Sequence, residues 1–223
     1  MCGRFAFYSP AEATAALFGA HTAAELKPRF NVAPTQDVAA ILRNEAGEAQ
    51  LTTLRWGLVP SWAKDPTIGN RMINARAETV AEKPSFRSAY RKRRCLVPAD
   101  GFYEWHTHDG QKVPYFISLK SGKPFAFAGI WERWDDKEKD EKLETTAIIT
   151  TAANEFMSRL HDRMPVVLEA GRTDAWLAGE DGALADAIAK APRFRAWPVD
   201  RTVNNARNEG SDLIEPAGEV ISA

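Results

Sequence analysis

An α+β fold, in which short helices flank an antiparallel sheet curled towards a barrel, is predicted by three features of this 223-residue chain. Eight short segments are apolar or alternating and rich in branched and aromatic residues, as strands are. Turn signals at Asp109-Gly110 and Ser121-Gly122 read as hairpin connections, which favours antiparallel pairing over a regular βαβ alternation. Helical patterns occur only as brief interruptions between strands. A hydrophobic content of 44% can fill one core, and the whole chain, 1–223, reads as a single domain.

Taken in order, Ser9-Pro10-Ala11-Glu12 combines a capping box with proline at the first helical position and opens a helix to about Phe18. Strands are expected at Val38–Leu42, Gln50–Leu58, Arg94–Val97, Val113–Leu119, Phe125–Trp131, Thr145–Thr150, Pro165–Leu168 and Phe194–Pro198. Thr79–Glu82 carries a second capping-box pattern, Asn154 caps a short helix to Leu160, and Thr173–Leu177 and Gly182–Lys190 are helical. Asp135 to Glu144, charged with both signs, is a solvated hairpin tip without a function. The residues after Glu215-Pro216 read as a frayed tail.

No run of about 18 apolar residues and no charged-then-apolar leader occurs, so neither membrane insertion nor export is indicated and a cytoplasmic protein is expected. Two cysteines, Cys2 and Cys95, make neither a disulfide framework nor a four-cysteine zinc site. No metal and no cofactor are expected. The net charge of −1 conceals an asymmetry: Arg71 to Arg94 holds eight basic residues against Glu78 and Glu82, a local balance of +6 that leaves −7 elsewhere. Such a segment fits phosphate contacts at one groove, and equally a solvated helix face with a basic end.

Cys2 is the most informative position. Removal of Met1 leaves an α-amine and a thiol on one carbon, a pair no internal cysteine offers. Reference pKa values near ~8 and ~8.5 make both usable nucleophiles near neutrality. The amine forms an imine with an aldehyde, and the thiol then closes to a five-membered thiazolidine. Packing in the core is the other use of such a cysteine.

Four polar patterns lie where elements end. In Cys2-Gly3-Arg4-Phe5, Arg4 supplies a fork for a phosphate. In Asn74-Ala75-Arg76-Ala77-Glu78-Thr79, the Asn74 amide both donates and accepts, and Arg76 faces the same way if the segment is extended. Glu104, between Tyr103 and Trp105 directly after a strand, has apolar neighbours that raise its pKa and suit it to proton transfer. In His161-Asp162-Arg163-Met164-Pro165, His161 suits proton transfer at neutral pH and Arg163 a phosphate. Singly, each fits a structural role as well: a turn former, a core-rim carboxylate, a helix C-terminal histidine. Trp56 to Trp62 offers aromatic faces for stacking on bases, although core packing explains Trp56 equally well, and Asn31-Val32-Ala33-Pro34 is a rigid turn whose proline can act as a wedge, a plain structural turn being the more common use.

As an ordered set, Cys2-Gly3-Arg4-Phe5, Asn31-Val32-Ala33-Pro34, Trp56-Gly57-Leu58 with Trp62, Asn74 to Thr79, Asp100-Gly101-Phe102-Tyr103-Glu104-Trp105, Thr150 with Ala152-Ala153, and His161 to Pro165 resemble the SOS response-associated peptidase (SRAP) family of abasic-site processing proteins. The resemblance runs from Cys2 to Asn208-Glu209-Gly210. It implies a mixed α/β domain with a barrel-like antiparallel sheet and a basic groove. It also implies a thiazolidine between mature Cys2 and the aldehyde of an abasic site in single-stranded DNA, formed by a monomer that removes its own Met1. On this resemblance Cys2 is the nucleophile, Asn74 orients the reacting group, and Glu104 and His161 move protons. Arg4, Arg76, Thr150 and Arg163 hold phosphates or nearby sugar atoms, and Pro34 with Trp62 splays the bases.

Three rivals share parts of this pattern. An N-terminal-nucleophile glutamine amidotransferase also begins with Cys2 and Gly3, but the chain lacks its Asn-Gly-Asp oxyanion pattern. A thiol peptidase pairing Cys2 with His161 needs an oxyanion hole that the sequence does not supply. A non-enzymatic single-strand binding module would use the basic groove and the aromatics alone.

Overall fold

The computed structural model describes residues 2–22, 25–108, 110–136 and 141–223. In chain order its strands are β1 (Phe5–Phe7), β2 (His21–Thr22), β3 (Arg29–Val32), β4 (Asp37–Arg43), β5 (Ala49–Trp56), β6 (Asn74–Arg76), β7 (Arg94–Ala99) and β8 (Gly101–His108). They continue with β9 (Gln111–Leu119), β10 (Phe125–Asp136), β11 (Glu141–Ala152), β12 (Arg163–Pro165), β13 (Val167–Leu168), β14 (Phe194–Pro198) and β15 (Ile221–Ser222). The helices are short: α1 (Ala11–Leu17), α2 (Arg87–Lys92), α3 (Asp174–Leu177) and α4 (Ala183–Ala189).

Five strands close on themselves. The order β11-β10-β7-β4-β5 is antiparallel throughout, and β5 returns to β11 by a parallel pairing that sets Arg55 opposite Thr145 and Trp56 opposite Thr146. Closure removes the free edges that an open sheet of this length would expose. A second sheet, β15-β14-β9-β8-β1-β3, packs its inner face on the barrel through aromatic edges. Phe5 meets Trp56 at 5.2 Å and Phe127 at 5.6 Å, and Phe102 meets Phe127 at 6.0 Å, in tilted geometries that rings favour.

All eight expected strands form, Pro165–Leu168 being divided between β12 and β13. The helices expected at Thr173–Leu177 and Gly182–Lys190 form as α3 and α4, and Asn154 Oδ1 accepts from the Met157 N–H at 2.9 Å to open a 3-10 turn. β8 went unread as a strand because both of its faces are covered, which erases the apolar–polar alternation. Glu104 therefore lies inside a strand rather than after one.

Several local expectations are corrected. Ser9 does not cap α1, because Asp100 takes it: Oδ2 accepts the Tyr8 and Ser9 N–H groups at 2.7 and 2.8 Å, and Oδ1 the Ser9 hydroxyl. Thr79 to Glu82 opens no helix but a run of turns closed by the Glu82 and Lys83 N–H groups on the Thr79 carbonyl. Ser121-Gly122 is a turn between β9 and β10, which belong to different sheets, so it is not a hairpin. The C-terminal tail is not frayed: β15 pairs with β14, and the Ala217 N–H donates to the Pro198 carbonyl. Asp109 and the central residues of the 135–144 tip, 137–140, lie outside the described residues.

Candidate active site

Cys2 enters the site through the pairing of β1 with β8. Phe5 opposes Phe102, Ala6 opposes Gly101, and the Tyr103 N–H donates to the Arg4 carbonyl at 2.9 Å, so the chain before β1 runs out alongside Glu104. Cys2 is fully buried. Asn74, the first residue of β6, donates from Nδ2 to the Cys2 carbonyl at 2.8 Å, while its Oδ1 is buried and has no partner among the described residues. Burial, and then the Glu104 carboxylate, push the Cys2 thiol far above the usual thiol range, with the Arg4 backbone N–H opposing.

Glu104 is 3% exposed, and burial raises its pKa, with His161 among the groups pulling it down. The direction matches the sequence reading but the neighbours do not. Strand alternation turns Phe102 and Glu104 towards the barrel, where Phe102 joins the main core, and turns Tyr103 and Trp105 to the opposite face. His161 follows a 3-10 turn (Met157–Arg159), and its Nδ1 lies 3.0 Å from the Arg163 N–H and 2.7 Å from Asp162 Oδ1. Glu104 thus acts electrostatically on Cys2 and is acted on in turn by His161, which puts the three side chains within electrostatic reach through one buried carboxyl group.

A second group assembles on β11. On one side β6 pairs in parallel and sets Arg76 opposite Thr150; on the other, β12 sets Pro165 opposite Thr150 and Arg163 opposite Ala152. Arg76 is exposed. Arg163 is occupied: Nη1 and Nη2 reach the two Glu78 oxygens at 2.6 and 3.0 Å, and Nη2 also donates to the Thr150 carbonyl at 2.9 Å.

Arg4 is likewise engaged within the protein. Its Nη1 donates to Asn31 Oδ1 at 2.7 Å and to the Val203 carbonyl at 2.8 Å, and its guanidinium lies over the Trp105 ring. Asn31, fully buried, donates in turn to the carbonyls of Val203, Asn205 and Asn208. Sequence reading treated Asn31 as part of a turn and missed this hub. An amide set between Phe30 and Val32 was the available signal.

Pro34 and Trp62 emerge at one barrel corner. The Thr35 N–H, after the Pro34 turn, donates to the Trp56 carbonyl at 2.8 Å, and the Trp62 loop leaves β5 at that residue. Trp56 itself is core, its Nε1 bonded to the Ile73 carbonyl. Trp62 is 60% exposed on a loop that is nonetheless fastened. Gly57, at φ +133, lies so close to Gly69 that a Cβ there would stand 2.6 Å from the Gly69 oxygen, and Trp134 Nε1 holds the Ala63 carbonyl at 2.7 Å.

The basic segment divides. Arg93 is paired with Glu132 at 2.6 Å, and Arg94 is buried between the Tyr90 and Trp176 rings, 4.6 Å from each. Arg94 is withdrawn into the core, which corrects the expectation for that residue, while Arg93 remains partly exposed with its charge met by Glu132. Arg71, Arg76, Lys83, Arg87, Arg91 and Lys92 are exposed. Among the described residues no group of His, Cys, Asp and Glu could hold a metal ion, and no helix is long and apolar enough to cross a membrane.

The family model described as SOS response associated peptidase (SRAP) matches residues 1–206. The chain belongs to the SRAP family. It is 42% identical over 224 residues to the abasic site processing protein YoaM of Bacillus subtilis (strain 168), a match covering 96% of this chain and 98% of that one. It is 34% identical over 229 residues to the abasic site processing protein YedK of Escherichia coli (strain K12), covering 97% and 100%. A crystal structure of a protein from Bacteroides thetaiotaomicron superposes with a TM-score of 0.85 at 27% identity, covering 97% of this chain and 100% of that chain. The SRAP fold is therefore the barrel and sheet described above, in a family of abasic-site processing proteins.

Proposed function

We propose that this SRAP protein, acting as a monomer in the cytoplasm, traps abasic sites in single-stranded DNA as a thiazolidine on Cys2 once it has removed its own Met1. The observation that carries the reading is the Asn74 hydrogen bond to the Cys2 carbonyl, which fixes Cys2 beside buried Glu104. Met1 itself lies outside the described residues.

Most of an abasic deoxyribose is closed hemiacetal, so the ring oxygen must be protonated to release the aldehyde. Glu104, its pKa raised by burial, is the acid for that step. The Cys2 amine adds to the aldehyde carbon, and the carbinolamine loses water to give an imine, with His161 carrying a proton. Asn74 Oδ1, a buried acceptor, receives a hydrogen bond from the amine or the carbinolamine hydroxyl. The sulfur then adds to the imine carbon while the thiol proton passes to nitrogen. The balance is aldehyde plus aminothiol to thiazolidine plus one water. The amine acts first because the sulfur closes onto the imine carbon that the amine has made. The steps reverse slowly, and elimination from the imine before ring closure gives strand incision. Arg4, Arg76, Thr150 and Arg163 surround the DNA backbone, and Pro34 and Trp62 splay the bases.

The test is incubation of mature protein with single-stranded DNA bearing one abasic site, followed by a denaturing gel and intact mass. A heat-stable adduct of protein plus DNA less one water is expected. An equally stable adduct from Cys2→Ala would overturn the thiazolidine.

A further inference from the structure

The Arg163 fork that a phosphate would use is already filled by a carboxylate. Both terminal nitrogens are in the bidentate pair with Glu78, one of them also bonds the Thr150 carbonyl, and Nε is buried without a partner. The Arg163 side chain is 17% exposed and that of Glu78 is 50% exposed. The outer, more exposed member of the pair is therefore the carboxylate. A carboxylate presents two oxygens to a guanidinium fork much as a phosphodiester does.

We propose that Glu78 is an internal stand-in for a DNA phosphate, which the backbone of the bound strand must displace to reach Arg163. This deepens the reading above and rests on it. Arg76, exposed and close enough to act on the Glu78 charge, is the partner to which the released carboxylate turns. Arg163 keeps its bond to the Thr150 carbonyl throughout, so its position on β12 does not depend on Glu78. An ion pair half open to water is weak enough for a phosphate to replace. The exchange makes Glu78 a threshold on binding: stray anions meet an occupied fork, and only a strand held elsewhere along the groove opens it.

The test is equilibrium binding of a fluorescent single strand without an abasic site, compared across the mature parent protein, Glu78→Gln, Arg163→Ala and the double variant, with thermal melts of each. Glu78→Gln is expected to bind about fivefold tighter than the parent. In the Arg163→Ala background the same change should have little effect, because no fork remains to be unmasked. Weaker binding by Glu78→Gln with an unchanged melt would make Glu78 a strut for Arg163 and overturn the proposal. An equal gain with and without Arg163 would reduce it to general charge and overturn it too. Failure of the parent protein to bind the strand at all would defeat the DNA reading, and this inference with it.

Discussion

Asn74 Nδ2 donates to the Cys2 carbonyl across 2.8 Å, joining the start of β6 to the start of the chain. The contact is to backbone, so it fixes where the Cys2 amine and Cα stand whatever the side chain does. β6 is itself fixed by parallel pairing to β11, Asn74 opposite Ile148. The barrel wall thus sets the position of a residue that precedes the first strand.

Asn74→Ala should therefore slow adduct formation about ten- to a hundredfold, the range for one lost hydrogen bond in a reacting complex. The melt should fall little, since the substitution also removes the buried Oδ1 that lacks a partner. Timed gels with matched melts decide this. An unchanged rate would detach Asn74 from the chemistry.

Glu104 predicts a pH signature. If it acts as an acid, adduct formation falls as pH rises through its raised pKa, and Glu104→Gln flattens that limb. Stability carries the same sign. A carboxyl group whose folded pKa lies above its unfolded value of about 4.3 contributes stability below that value and loses it as pH rises through the folded pKa. Glu104→Gln should melt higher than the parent at pH 8 and no higher at pH 4. Parallel melts across that range would contradict the raised pKa.

Trp62 predicts a separation of binding from folding. Its side chain is 60% exposed, so Trp62→Ala should leave the melt nearly unchanged. Stacking on a base is worth about 1–3 kcal/mol, so affinity for a single strand should fall roughly tenfold. Equal affinity would remove Trp62 from the interface.

Asn31 predicts the reverse. Asn31→Ala takes from Arg4 its side-chain acceptor, leaving the Val203 carbonyl, and leaves the Asn205 and Asn208 carbonyls without their side-chain donor. A loss of about 3 kcal/mol is expected, or roughly 6–10 °C in the melting temperature. A melt within 2 °C of the parent, about what surface substitutions produce, would disprove the hub.

The sequence made the strands of the barrel legible because each carries a run of apolar and branched residues, even β7, which is buried at every position. β1, β2, β3, β6, β8 and β15 were not read as strands. Five of them span four residues or fewer, and β8, covered on both faces, breaks its aromatic run with Gly101 and Glu104. At the site, residue types were legible but their present partners were not. Nothing in the local pattern around Arg4 points to Asn31 and Val203, or around Arg163 to Glu78, because those contacts cross between 27 and 199 positions. The Ser9 capping box failed for the same reason: Asp100, 91 residues away, outcompetes the helix for its N–H and hydroxyl.

The burial of Cys2 has a consequence outside the DNA reaction. A thiol that remains protonated and screened from solvent is a slow partner for peroxides, alkylating agents and disulfides, all of which react with the thiolate. On the proposed chemistry, the seclusion that holds the sulfur back until an imine is present also slows its loss to oxidants.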